Sequence, residues 1–347
     1  MKEKNDIEPL EKTHKSCLAK GCLIMCFLTF IAIVGLTIVS IYLSNKSTDN
    51  YQKNKNKTEL FIKIDTPDYK ISNAKEAEFF SMLSKIFSKD DYEEAKEKML
   101  RIKEIYPEGY FVIVHRIFDN QDLFIDIYNN FKNNDEDMSD FLSHELTHST
   151  LFEDAFLIED KKISIKDGLS LYEMLPSGEV LLQYINEPTD FDFLYLSESK
   201  QNLLVSVDEV NAYTKSVRNS RNFKGKSGFG GSVSASSNLA RQLYFVTLHI
   251  KYIKKNQPST YLAIQNNRGF AYIIMRLIKM AETELLMADS EGLFNQKTGD
   301  NLALFNENRY ILEQYFDDAG VNDFSDTEFD YQELRSKGID FTIEKVK

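Results

Sequence analysis

Apolar positions along this chain fall into three patterns. Between Cys22 and Leu43 they run together with no charged residue among them. A helix of that length rises about 33 Å, enough to cross the hydrocarbon core of a bilayer. Over 73–87 and 89–106 they recur at helical spacing instead, with Phe79, Phe80, Leu83, Ile86 and Phe87 on one stripe, and Pro107 and Gly109 end the pair. Over 110–118, Tyr-Phe-Val-Ile-Val-His-Arg-Ile-Phe, they are continuous and rich in β-branched and aromatic types, which predicts a strand. Turn residues at 119–122 then lead to a second strand over 123–128.

Helical spacing returns over 140–158, with Asp137 or Ser139 as cap and Phe141, Leu142, Leu151, Phe152, Ala155 and Phe156 as the apolar face. Short strand-like pieces and turns occupy 160–195. Ser197 can cap a helix over 198–218, marked by Leu203, Leu204, Val207, Val210, Thr214 and Val217. The Gly/Ser stretch 224–238 reads as a loop, followed by helices over 238–255, 259–288 and 300–317 and an acidic tail near 322–333. The expected fold is α+β and predominantly helical, with a small sheet near the centre of the chain. Residues 1–21 form a tail, 22–43 a transmembrane helix, 44–58 a polar linker and 59–347 one domain. Within that domain lie a helical part (59–109), a core (110–223), the loop (224–238) and a helical C-terminal part (239–347).

Charge and cysteine usage narrow the function. A net charge of -12 over 347 residues argues against nucleic acid as the main partner. Cys17, Cys22 and Cys26 all lie in or beside the apolar run, so the domain beyond it is not a disulfide scaffold. Mostly polar residues precede that run and no small-x-small site closely follows it, which favours a retained single-pass anchor over a cleaved signal. Lysines are balanced on its two sides, so the positive-inside rule gives no orientation. The short tail before the run and the large domain after it favour a domain outside the cytoplasm.

The chemistry centres on His144-Glu145-Leu146-Thr147-His148. Two histidines four apart on a helix can reach one metal ion, and the glutamate beside the first can take a proton from metal-bound water. A catalytic zinc usually has a third protein ligand. Glu209, in Ser206-Val207-Asp208-Glu209-Val210-Asn211-Ala212-Tyr213, is the best candidate, because Ala212 leaves room one turn later for a second helix. Asp208, Asp190 and Asp192 could serve in its place.

With these segments the chain resembles the gluzincin group of zinc metallopeptidases. Those enzymes carry HExxH on one helix and a ligand glutamate on a later one, often with alanine three residues on. The resemblance spans about 35 residues and implies a zincin-like domain in which His144, His148 and Glu209 bind Zn2+ and Glu145 is the general base. Some gluzincins place an aspartate four residues after the ligand glutamate, where it orients a histidine. Here that position is Tyr213, so either Asp208 or a backbone carbonyl substitutes or the site binds metal weakly.

The implied function is zinc-assisted hydrolysis of peptide or protein substrates beside a membrane, with His249, Tyr213 or Tyr252 as candidate oxyanion donors. His115 reads as a structural residue of the 110–118 strand, and that strand or its partner offers an edge for an extended substrate. Loop 224–238 lacks a phosphate-binding pattern; it is a connector, or else a flap over the cleft. The alternative function is non-catalytic: a membrane-tethered helical binding domain, or a latent peptidase homologue.

Overall fold

Serine side chains start the first two helices. The structure, a computed structural model, describes residues 69–148, 155–165, 168–224, 231–324, 331–339 and 342–345. Ser72 accepts from the Lys75 N–H at 3.2 Å to cap α1 (Asn73–Ile86), and Ser88 accepts from the Asp91 N–H at 3.3 Å to cap α2 (Lys89–Ile105). The expected anchor 22–43 and linker 44–58 lie outside the described residues. Among those described, no helix is long and apolar enough to cross a membrane.

The expected hairpin over 110–128 is not a hairpin. Those residues form α3 (Pro107–Arg116) and α4 (Gln121–Phe131), joined by a 3-10 turn over Ile117–Asp119. Pro107 occupies the first helical position, where its missing N–H costs nothing. Every residue from Glu108 to Val114 is buried, so α3 is buried all round over this stretch and has no exposed polar face to reveal its period. A continuous apolar run fits a buried strand and a buried helix equally, and here packing overrides β propensity. His115 therefore sits on a helix, with Nδ1 2.9 Å from the Phe111 carbonyl oxygen.

The motif helix α5 (Asp135–His148) starts earlier than its pattern suggests. Its cap is neither Asp137 nor Ser139. Asn134 Oδ1 accepts from the N–H groups of Glu136 and Asp137 at 3.1 and 3.4 Å. Asp135, Glu136 and Asp137 then lie in the first turn, at the positive end of the helix dipole. Residues 149–154 of the expected helix lie outside the described residues, and its last four form β1 (Ala155–Ile158), paired antiparallel with β2 (Lys161–Ser164), whose other neighbour is β3 (Thr342–Lys345). The two-residue turn between β1 and β2 puts Glu159 at φ 54°, without the glycine that usually marks such a turn.

Beyond the sheet come α6 (Gly168–Met174), a 3-10 segment (Gly178–Tyr184), and a one-turn helix (Asp190–Asp192) that runs into a π-helical turn (Phe193–Glu198). Helix α7 (Leu203–Asn222) is capped by Asn202, not Ser197. Helix α8 (Gly231–Asn256) absorbs half of the expected Gly/Ser loop. The expected helix 259–288 is two helices, α9 (Pro258–Asn266) and α10 (Arg268–Ser290), divided at Asn267, which caps the second. The expected helix 300–317 is likewise α11 (Gln296–Asn308) and α12 (Tyr310–Asp318), and α13 (Tyr331–Ser336) begins at the end of the expected acidic tail.

The described chain is thus predominantly helical α+β, with a small antiparallel sheet of other residues than expected. Its apolar side chains gather into two cores. One holds α1 to α5 through Phe79, Val112, Phe124, Leu142 and Leu146. The other holds α7 to α12 and the β1–β2 hairpin through Val207, Val210, Leu243, Phe270 and Leu312. Helices α5 and α7 pack together where the cores meet. A buried ionic chain ties the same seam: Arg218 on α7 binds Glu108 on α3 at 2.9 Å and Glu284 on α10 at 2.7 Å.

Candidate metal centre

Three donor atoms converge at this seam. His144 Nε2 and His148 Nε2 are 3.2 Å apart, one turn from each other on α5. Glu209 Oε2, from α7, lies 3.7 Å from the first and 3.6 Å from the second. A triangle with these sides has a point about 2 Å from every corner, the usual bond length from nitrogen and oxygen donors to a zinc-sized ion. Glu209 is 8 % exposed, and its Oε2 has no hydrogen-bond donor among the described residues. A buried carboxylate oxygen without a donor is costly unless a cation meets it. The group of His144, His148 and Glu209 could therefore hold a metal ion.

The imidazoles are oriented from behind. Asp208, fully buried, places Oδ2 2.7 Å from His148 Nδ1. This oxygen is engaged with Nδ1, and Asp208 is not among the three groups whose donor atoms converge. His144 Nδ1 lies 3.1 Å from Ser216 Oγ, and Ser216 in turn hydrogen-bonds Asp140, one turn back on α5. Such partners fix the tautomer that leaves Nε2 free for a metal. The remaining two aspartates fall away from the site: Asp192 is bound by Arg241 at 2.6 Å, and Asp190 is exposed at the start of its one-turn helix.

Glu145 is half-buried on the same helix and makes no hydrogen bond or ion pair among the described residues, and its charge is felt at both His148 and Glu209. Of the expected oxyanion donors, only Tyr213 is at the site, its ring edge-on to His144 with centroids 4.6 Å apart. His249 is fully buried on α8, where its polar neighbour is the Gln201 backbone, and burial pulls it down to about 3. Being sealed in the core, it cannot touch a substrate. Tyr252 packs against Tyr184.

Two residues at the site were missed in the sequence. Tyr195 hydrogen-bonds Tyr213, hydroxyl to hydroxyl, at 2.5 Å. Gln201 donates from Nε2 to Glu209 Oε1 at 3.0 Å. Both belong to the π-turn and the link after it, which follow neither helical nor strand spacing. The β1 edge is closed as a substrate shelf, because the Leu157 carbonyl already accepts from Asn211 Nδ2 at 3.0 Å and Lys215 Nζ at 2.9 Å.

The metal-free site is electrostatically unsettled. Burial alone would lower His148, but Asp208, with help from Glu209 and Glu145, carries it up to about 9. Burial raises Glu209 to about 7, against the pull of His148. Burial, the His148 charge and Lys215 hold His144 well below the usual histidine range.

The raised His148 value stabilises the fold fully below about 6.5, its unfolded value, and that contribution is lost as pH rises through 9. The raised Glu209 value costs stability as pH climbs from its ordinary range to 7. Both act in one direction, and Lys215, lowered by burial to about 8, offsets only part of this because it is still charged over half of the window, so the metal-free protein should melt lower at about pH 9 than at about pH 7. A metal ion takes both groups unprotonated, so the rise in Tm that it produces should be larger at the higher pH. Thermal melts with chelator and with metal at the two pH values check this; equal shifts would contradict it.

Neither a family model, nor a curated protein, nor a solved structure matches this chain.

Proposed function

We propose that the chain is a membrane-anchored zinc peptidase with a zincin-like domain. The observation that carries this reading is the meeting of two imidazoles and one carboxylate at metal-bond spacing, with Glu145 on the same helix turn. Two nitrogens and one oxygen, with no thiolate, suit zinc. Three protein ligands rather than four leave a position open, the mark of a catalytic rather than a structural site. Zinc held there would polarise the scissile carbonyl and lower the pKa of a bound water toward about 7.

The chain's own groups supply the rest. Glu145 removes the proton from the attacking water and passes it to the departing amine as the carbon–nitrogen bond breaks. Burial raises the phenols of Tyr195 and Tyr213, so both stay protonated; one hydroxyl proton is spent in the bond between them, which leaves the other to donate to a developing oxyanion. The apolar run 22–43 would tether the domain on the non-cytoplasmic side, and the polar segment 44–58 would let it reach peptide or protein substrates near the membrane.

Elemental analysis of the detergent-solubilised full chain tests the core of this reading. About one zinc per chain is expected, lost in His148→Ala and in Glu209→Ala. No metal after zinc reconstitution would sink the peptidase and leave a tethered binding domain. Retention in Glu209→Ala but not in His148→Ala would remove Glu209 as a ligand.

A further inference from the structure

The carboxylate of Glu209 is treated unequally on its two oxygens. Oε1 accepts from Gln201 Nε2 at 3.0 Å. Oε2 has no donor and is the atom nearest both His Nε2 atoms. Gln201 is not on α7; it is delivered from outside by a tight piece of backbone. The π-turn Phe193–Glu198 precedes it, its own N–H donates to the Tyr195 carbonyl at 3.1 Å, and Lys200 is held at φ 51°. A non-glycine residue in the left-handed region is strained, because its Cβ crowds the following carbonyl oxygen. The link accepts that strain and leaves Gln201 3 % exposed, with its amide against the carboxylate.

We infer that Gln201 is a positioning residue that holds Glu209 to single-oxygen ligation, and so keeps one coordination position open for water and substrate. This inference rests on the metal reading above. A carboxylate beside a metal can bind through one oxygen or both, and the second mode adds a fifth ligand atom that crowds the position needed by water and substrate. A donor on Oε1 opposes that swing. The donor is a neutral amide, whereas a lysine or arginine there would draw charge from the carboxylate and repel the cation. The amide has only one workable orientation, since a flipped group would set its oxygen against Glu209 Oε1.

The test uses the full chain loaded with Co2+, whose visible spectrum reports coordination number, and zinc X-ray absorption for ligand distances. Wild type should show intense four-coordinate absorption and one short carboxylate oxygen. Gln201→Met, which removes the donor at similar volume, should show weaker five-coordinate absorption and about 10-fold weaker metal binding. Gln201→Leu, smaller and likewise without a donor, gives the same readout if the first variant fails to fold. Unchanged cobalt spectra in a folded variant, or two-oxygen ligation in wild type, would overturn the inference while leaving the metal site standing. Wild type that takes up neither metal would overturn the metal reading itself.

Discussion

Replacing Glu145 with glutamine should lower peptide hydrolysis by about 10²–10⁴-fold, the usual contribution of a general base, while zinc stays bound. Glutamine keeps the shape and hydrogen-bonding capacity of the side chain and loses only the group that accepts a proton. Glu145 makes no ion pair or hydrogen bond among the described residues, so no structural contact is lost with its charge. Its removal should also ease the burden of negative charge around Glu209, so metal affinity should change only a few-fold against this large loss of rate. Turnover of a mixed peptide library beside elemental analysis gives both readings. Undiminished turnover with zinc bound would exclude Glu145 as base, and loss of zinc would make it a ligand instead.

Arg241→Ala should destabilise the fold by about 3–5 kcal/mol, the cost of leaving a buried charge without its partner. Arg241 grips Asp192 with Nε at 2.6 Å and a second nitrogen at 2.7 Å, and Asp192 is fully buried. The carboxylate also accepts from the N–H and hydroxyl of Thr189, closing the cap of the one-turn helix that leads into the π-turn. Loss of the arginine should therefore loosen the segment that carries Tyr195. Urea unfolding measures the loss. Adding Asp192→Asn to Arg241→Ala should recover part of it, because no ionised group is then stranded. A single-variant cost below about 1 kcal/mol would mean that water reaches Asp192 and that the pair does not anchor this segment.

The convergence of the three candidate metal ligands was legible in the sequence because their spacing is itself the geometry. His144 and His148 lie one turn apart on any helix, and Glu209 followed from the need for a third donor on a later helix. Asp208 was within reach of the same argument, as a possible replacement for the aspartate absent at Tyr213. The α3 segment was not legible. Its residues carry strand propensity, and burial on all sides erased the polar face that would have betrayed a helix. Nor was the β1–β2 hairpin, whose turn uses Glu159 where glycine would have announced it. Gln201 and Tyr195 were hidden for a different reason. Their place depends on a π-turn and a strained link, and neither leaves a periodic trace.

The packing of α5 against α7 joins two separate apolar cores. A metal shared between these helices would act as a cross-link between chain positions about 60 residues apart. This matters in a domain with no cysteine after Cys26. By the loop-entropy relation for disulfides, closing a loop of that length restrains the unfolded chain by as much as about 4 kcal/mol. Unlike a disulfide, such a staple opens whenever the metal is withdrawn. The lifetime of the protein would then follow the metal supply of its compartment, with starved molecules parting first along the seam and becoming open to proteolysis before either core unfolds.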